Sequence, residues 1–444
     1  MNLGKIGDTP MNTELQAKIQ ELIPGMTVLR RDLHKHPESA WTEFRTAAMC
    51  IKKMQELGYT ITMGEDAVKR DAMMGVPAAD ALKAHMERAI AQGADAELVA
   101  KMEGGLTGFW ADMDFGGEGP FLAVRFDMDC NDVSECADAE HRPNKEGFAS
   151  MNKGAMHACG HDAHVAIGLA LAEIVASMRD QFKGKIRFIF QPAEEGVRGA
   201  MPMEKAGAVD GVEQIFGMHI GFQANKLGKV ICGTKNFLAT TKADITFTGV
   251  PAHAGNAPEE GKNALLAAAT ALLNMHAIPR SGKGDTRITV GKLIGGEGRN
   301  VIPPKAVLVL ETRGITSALD EYMFGEVKRI AKAAADMWGC GYSIDIKGGT
   351  KSGESDLEVA EVVAEEARAM GCFNEIIVEQ NFGASEDYSH FMSTVQANGG
   401  KGTYVQVGSN LSAGHHNSHF DFDEKSLEDS LVLMARCVYR TLAK

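Results

Sequence analysis

No stretch of this 444-residue sequence approaches the roughly 18 consecutive apolar residues of a membrane-spanning helix. The first segment, Met1 to Leu22, lacks the positive start and the apolar run of about 7–15 residues that mark a secretory leader. Cysteine is sparse and dispersed, with eight residues at positions 50, 130, 136, 159, 232, 340, 372 and 437. Disulfide frameworks belong to short secreted chains, so the expectation is a cytoplasmic protein with reduced thiols and no membrane partner. Basic residues are the minority, 46 Lys and Arg against 59 Asp and Glu, for a net charge of −13. That balance argues against nucleic acid as the partner. An anionic small molecule would need a local cluster of Arg, His or metal to overcome the overall field. Internal repeats and low-complexity segments are absent as well.

The length and the 44% of hydrophobic residues suit an α/β enzyme of two domains, one interrupted by the other. Helical spacing is expected from residue 12 to a turn at His36-Pro37, then from Glu43 to Leu57, with Gly58 as the stop. Residues 66–104 are rich in Ala, Met and charge and read as a helical insertion. Strand-like runs follow at Leu106 to Ala111, Phe121 to Phe126, Ile186 to Phe190 and Ile215 to His219, with an apolar helix at Ala163 to Met178. Continuous apolar strands alternating with helices predict a largely parallel, covered sheet. From residue 240 the texture changes. Strands at Lys242 to Thr248, Thr286 to Leu293, Val307 to Gly314 and Tyr342 to Ile346, with helices at Ala264 to His276 and Phe324 to Trp338, give the β-α-β-β-α-β order of a ferredoxin-like unit. The expected division is 1–239 with 350–444 as one domain and 240–349 as an insert.

Chemistry concentrates at strand ends. In MHACGHDAH (156–164), Cys159 and His161 would diverge on a helix, but on a loop ahead of one both can turn toward one ion. Glu194 and Glu195 directly follow the strand ending at Phe190, where ligands of open α/β sheets gather. Adjacent residues point apart in extended chain, so one carboxylate can hold metal while the other stays free as a general base. His219 ends another strand, and His415-His416 follows the strand Thr403 to Val407. Each of these signals is weak alone. Together they place thiolate, imidazole and carboxylate at the ends of several strands of one sheet.

The runs MHACGHDAH, PAEEG, GMHIG, PAHAGNAPEEGKNALLAAA, GRNVIP, ASEDY and GHHNSHFDFDE resemble the dinuclear metallo-amidohydrolases that include hippurate and auxin-conjugate hydrolases. The likeness runs from about residue 26 to 440. RRDLHKHPESAWTEFRTA, the insertion at 66–104, HRPNKEGFAS and NFLATTKAD resemble the aminobenzoyl-glutamate utilization branch within that family. The resemblance implies a parallel-sheet metallopeptidase domain with an inserted ferredoxin-like lid that dimerises. It also implies two divalent ions, Mn2+ or Zn2+. Cys159 would bridge them, with His161 and His219 on one ion and Glu195 and His416 on the other; His416 is preferred to His415 because it lies four residues before Phe420. Glu194 would be the general base and Asp129 the residue that orients the ligands. His253 would reach into a neighbouring subunit's site, and Asn300, with Arg299 and Arg313 as further clamps, would hold the substrate carboxylate.

On this reading the chain cuts an N-acyl amino acid at its amide bond, p-aminobenzoyl-glutamate first, as a homodimer or beside a homologous partner subunit. Two alternatives stay within the fold, an amidohydrolase for another conjugate such as indole-3-acetyl-aspartate or hippurate, and a non-catalytic regulatory subunit. The intact ligand set argues against the second. A cysteine-nucleophile hydrolase lacks an evident His–Asn partner set.

Overall fold

The computed structural model describes residues 10–444, so residues 1–9 of the leader expectation lie outside the described residues. Eight strands form the larger sheet: β1 (Thr60–Met63), β2 (Phe109–Gly116), β3 (Phe121–Asp127), β4 (Gly184–Gln191), β5 (Gln214–Ile220), β6 (Lys229–Lys235), β11 (Glu375–Asn381) and β12 (Lys401–Val407). Between β6 and β11 the chain makes a second, four-stranded sheet from β7 (Ala239–Thr248), β8 (Thr286–Gly295), β9 (Lys305–Gly314) and β10 (Gly341–Thr350).

In the larger sheet the order is β1-β2-β4-β3-β5-β12-β6-β11. Its centre, β4-β3-β5-β12, is parallel, as is the pair β6-β11. The pairings β1-β2, β2-β4 and β12-β6 are antiparallel. The sheet is thus mixed where a largely parallel one was expected. One cause is local: residues 117–120 turn β2 into β3, with Gly116 and Gly117 at φ +72° and +74°. A connection that short cannot make the crossover that parallel pairing needs.

Central strands are buried on both faces. Val124, Phe188, Phe190 and Phe216 pack toward the helices Pro10–Lys35, His161–Ser177 and Lys425–Leu442, whereas Ala123, Ile189 and Ile215 pack toward Ala200–Lys205 and Tyr388–Ala397. The smaller sheet has the order β10-β7-β9-β8, antiparallel throughout, under the helices Ala264–His276 and Ser317–Trp338. This is the ferredoxin-like unit. Ala243, Ile245 and Phe247 of β7 face those helices, so strand alternation turns Lys242 to the opposite face.

Several local expectations are corrected. Leu106 to Gly108 precede β2 rather than belong to it. The insertion at 66–104 is helical over Ala79–Ala91 and Ala96–Lys101, but 73–78 is irregular, broken by Gly75 at φ +62° and by Pro77. Among the elements not anticipated are β1, β6, β11 and the helix Leu357–Met370.

Gly168 shows how tightly the central helix meets the sheet, because a Cβ there would lie 2.8 Å from the Phe126 ring. Alanine is the better helix former by about 1 kcal/mol, and overpacking costs about 1–3 kcal/mol. Gly168→Ala is expected to lower the denaturant midpoint, corresponding to a net loss of about 1 kcal/mol. An unchanged or higher midpoint would show that the ring yields.

Candidate metal centre

Because β4, β3, β5 and β12 run parallel, their carboxyl ends lie side by side and the loops after them converge. Asp127 and His219 sit near the ends of β3 and β5, and the segment Pro192–Gly199 follows β4. The helix His161–Ser177 begins at His161, two residues earlier than expected. Gly160, at φ +93°, turns the chain so that Cys159 and the first helical residue face the same space. His416 takes φ +63° and donates its backbone N–H to Ala158 O at 2.7 Å, which fixes the 415–417 loop beside Cys159.

Two sets of donor atoms result, each within 4.8 Å. One is Cys159, His161 and His219; the other is Cys159, Glu195 and His416. They share the thiol. Cys159 Sγ lies 3.4 Å from His219 Nε2, and His416 Nε2 lies 3.3 Å from Glu195 Oε1. His161 Nδ1 donates to Asp129 O at 2.8 Å and His219 Nδ1 to Ile220 O at 2.8 Å. Both rings therefore turn Nε2 toward the shared thiol, the orientation a metal ligand requires. His161 Nε2 and Glu195 Oε1 are buried without a hydrogen-bond partner among the described residues. Unpaired polar atoms converging in this way fit a cation. Burial, with Glu195, Glu194 and Asp127 around it, pushes the Cys159 thiol well above its usual range, so a thiolate here calls for a compensating positive charge. His415 differs. Its ring packs 4.7 Å from Phe222 and 4.9 Å from Phe420, and its Nε2 faces Ile220 O at 3.3 Å.

Asp129 holds the glutamate pair from behind. Its two carboxylate oxygens accept the backbone N–H groups of Glu194 at 3.0 Å and Glu195 at 2.9 Å. Glu43 accepts from Ala193 N at 2.9 Å, so two buried carboxylates suspend the loop. The same segment carries non-glycine residues at positive φ, Ala193 at +52° and Val197 at +58°. The two glutamates are driven apart electrostatically. Burial, then the charges of Glu386, Glu195 and Asp387, lift Glu194 well above the carboxylate range. Burial would lift Glu195 too, but the His416 ring 3.3 Å away and the positive charge of His161 nearby hold it at about 2.

Other candidates fall elsewhere. His253, Arg299 and Asn300 are exposed and form one patch at the smaller sheet, where His253 pairs with Val301 and Ala254 N donates to Asn300 O at 3.0 Å. Within the described chain nothing links that patch to the thiol and its ligands. Arg313 is engaged by Glu311 through bonds of 2.9 and 3.2 Å. Sequence reasoning gave no role to Asp127, His164, Arg125, Glu386 or Asp387. His164 bridges Asp127 (2.5 Å) and Ile220 N (3.0 Å), which uses both its nitrogens. Arg125, fully buried, binds Asp127 at 2.6 Å and Glu386 at 3.0 Å. The runs FDMD and ASEDY were the available signals, but partners so distant in sequence cannot be paired by spacing.

The profile of Peptidase family M20/M25/M40 matches residues 123–442. The chain is 45% identical to an indole-3-acetyl-aspartic acid hydrolase of Enterobacter agglomerans, over 95% of this chain and 97% of that one. It is 44% identical to a p-aminobenzoyl-glutamate hydrolase subunit of Escherichia coli (strain K12), over 94% and 96%. The crystal structure of an aminobenzoyl-glutamate utilization protein from Klebsiella pneumoniae superposes with a TM-score of 0.82 at 37% identity, covering 96% of this chain and 98% of that one. With most of its length matched and its strand-end residues gathered around one thiol, this chain belongs to Peptidase family M20/M25/M40.

Proposed function

We propose that this chain hydrolyses the amide bond of N-acyl amino acids with an acidic amino-acid part, p-aminobenzoyl-glutamate foremost, releasing p-aminobenzoate and glutamate. The observation that carries the reading is the pair of ligand sets meeting at Cys159. His161 and His219 would hold one divalent ion and Glu195 and His416 the other, Mn2+ or Zn2+, with the Cys159 thiolate shared. When bound, such ions supply Lewis acidity and make water acidic near neutral pH.

Glu194 then performs the proton work. Its raised basicity suits a group that takes a proton from the attacking water and returns it to the leaving nitrogen. Water's oxygen bonds to the acyl carbon, the C–N bond breaks, and the protons end on the amine. Asp129 acts by position, keeping the two glutamates aimed differently through their backbone amides. Cys159, committed to the ions, is no nucleophile. We read 240–349 as a lid through which two copies of the chain pair, or through which this chain meets a homologous partner. Exposed His253 would then stabilise the developing oxyanion of a neighbour's substrate, while Asn300 and Arg299 hold its α-carboxylate. A cytoplasmic setting is part of the proposal. A specific observation favours a second substrate, indole-3-acetyl-aspartate, because a relative of equal likeness bears that name.

Purified protein, stripped with chelator and reloaded with Mn2+ or Zn2+, is expected to regain hydrolysis of p-aminobenzoyl-glutamate or indole-3-acetyl-aspartate, with hippurate slower. Hydrolysis indifferent to chelation would overturn the metal reading, and activity confined to hippurate would overturn the substrate class. Glu194→Gln and His253→Ala should each lose about 10²–10³ in kcat with metal content unchanged. Mixing the two inactive proteins should restore activity if sites are shared between copies. No recovery after subunit exchange would place His253 outside the reaction.

A further inference from the structure

A substrate with two carboxylates must approach a site already crowded with buried acids. Glu194, Glu386 and Asp387 offer oxygens within 4.8 Å of one another, and the chain as a whole carries −13. Cations near those acids therefore bear on recognition. The lid brings one close. In the smaller sheet Lys242 of β7 stands opposite Glu311 of β9 and Gly348 of β10. Gly348 and Gly349 lie directly on the loop that carries the glutamate pair. Gly349 N donates to Val197 O at 2.9 Å, and a side chain on Gly348 would collide with the Gly196 carbonyl. Lys242 is thereby set beside this loop, on the sheet face turned away from the lid helices.

Arg198 rises from the same loop to meet it. Its Nε donates to Glu195 O at 3.2 Å and its Nη1 to Gly75 O at 3.2 Å, while its Cγ lies 3.4 Å from where a Gly348 Cβ would stand. Those partners are carbonyls, not carboxylates. Neither Lys242 nor Arg198 has a carboxylate within ion-pair distance among the described residues, and Nη2 of Arg198 makes no hydrogen bond among them. Arg313, two residues along β9 from Glu311, is different because Glu311 already holds it. Two half-buried positive charges thus flank the loop that carries the glutamate pair, neither with a carboxylate within ion-pair distance among the described residues. Burial holds the Lys242 ammonium below the usual lysine range, with Glu311 and Glu194 acting in the opposite sense.

We infer that Lys242 and Arg198 form an anion subsite that reads the side-chain carboxylate of the departing amino acid and selects acidic conjugates over neutral ones. The inference rests on the amidohydrolase reading above and adds a specificity determinant to it. A charged hydrogen-bond donor is worth about 1.5–3 kcal/mol to a buried carboxylate. A guanidinium beside an ammonium accommodates both oxygens of that group. The rival role, steadying the charge of Glu194, would act on every substrate alike.

The test compares p-aminobenzoyl-glutamate with p-aminobenzoyl-glutamine, which differ by that one charge. Calorimetric binding to the chelated full-length protein reads the preference without turnover, and kcat/KM of the reloaded protein reads it again. Wild type is expected to favour the glutamate conjugate by roughly 10- to 100-fold. Lys242→Met should erase the preference by weakening only the acidic ligand, leave hippurate hydrolysis within about twofold, and retain metal. Lys242→Arg should keep most of it. Equal binding of both conjugates by wild type, or a glutamate preference that survives in Lys242→Met, would overturn the inference. So would a parallel loss on hippurate. Binding discrimination without any hydrolysis would count against the amidohydrolase reading and leave the subsite standing.

Discussion

Two consecutive glutamates can have different duties only if the backbone between them is held rigidly, and Asp129 supplies that constraint. Its carboxylate spans the amides of Glu194 and Glu195, and its own carbonyl accepts a hydrogen bond from His161 Nδ1. Three bonds from one residue fix the general-base candidate, the neighbouring carboxylate and the orientation of an imidazole. Left-handed conformations at Ala193 and Val197 cost about 1–3 kcal/mol each. The three backbone N–H bonds that the buried Asp129 and Glu43 side chains accept from this loop return about 0.5–3 kcal/mol each. The loop is strained yet held, and without Asp129 the strain would be the larger effect.

Behind that constraint lie two buried guanidinium networks that tie distant segments to the site. Arg30, wholly buried, binds Asp162 at 3.0 Å and Asp421 at 2.8 Å and lies 4.2 Å from the Phe422 ring. It joins the first helix to the start of the helix bearing His161 and to the loop beyond His416. Arg125 joins β3 to Glu386, whose other oxygen takes the Tyr404 hydroxyl at 2.5 Å. Buried pairs of this sort add little net stability, but losing one partner strands a charge. Their contribution is geometric, since each permits a single arrangement of the elements it joins.

Much of this was legible from sequence because it is local. PAEEG after an apolar strand, Cys-x-His at a helix start and the alternation of Lys242 to Thr248 all carry their meaning within a few residues. β6 was not legible, because Gly233 interrupts its pattern; the glycine is there because Ala360 would press within 2.6 Å of a Cβ. β11 escaped because six of its seven residues are half-buried and two are glutamates, without a clear period. The mixed sheet, the Asp127–His164 pair and the unmatched cations Lys242 and Arg198 depend on neighbours tens to hundreds of residues away in the chain. Spacing cannot reveal them. The patch of His253, Arg299 and Asn300 was recognisable as a motif, and in three dimensions its residues stay together at the smaller sheet.

The central claim is that one thiolate serves two ions, and anomalous diffraction from crystals loaded with Zn2+ or Mn2+ tests it most directly. The account predicts two peaks per chain about 3.5–4 Å apart, with Cys159 Sγ between them, His161 and His219 on one, and Glu195 and His416 on the other. A single peak, or an ion seated among Asp127, His161 and His164 instead, would contradict it.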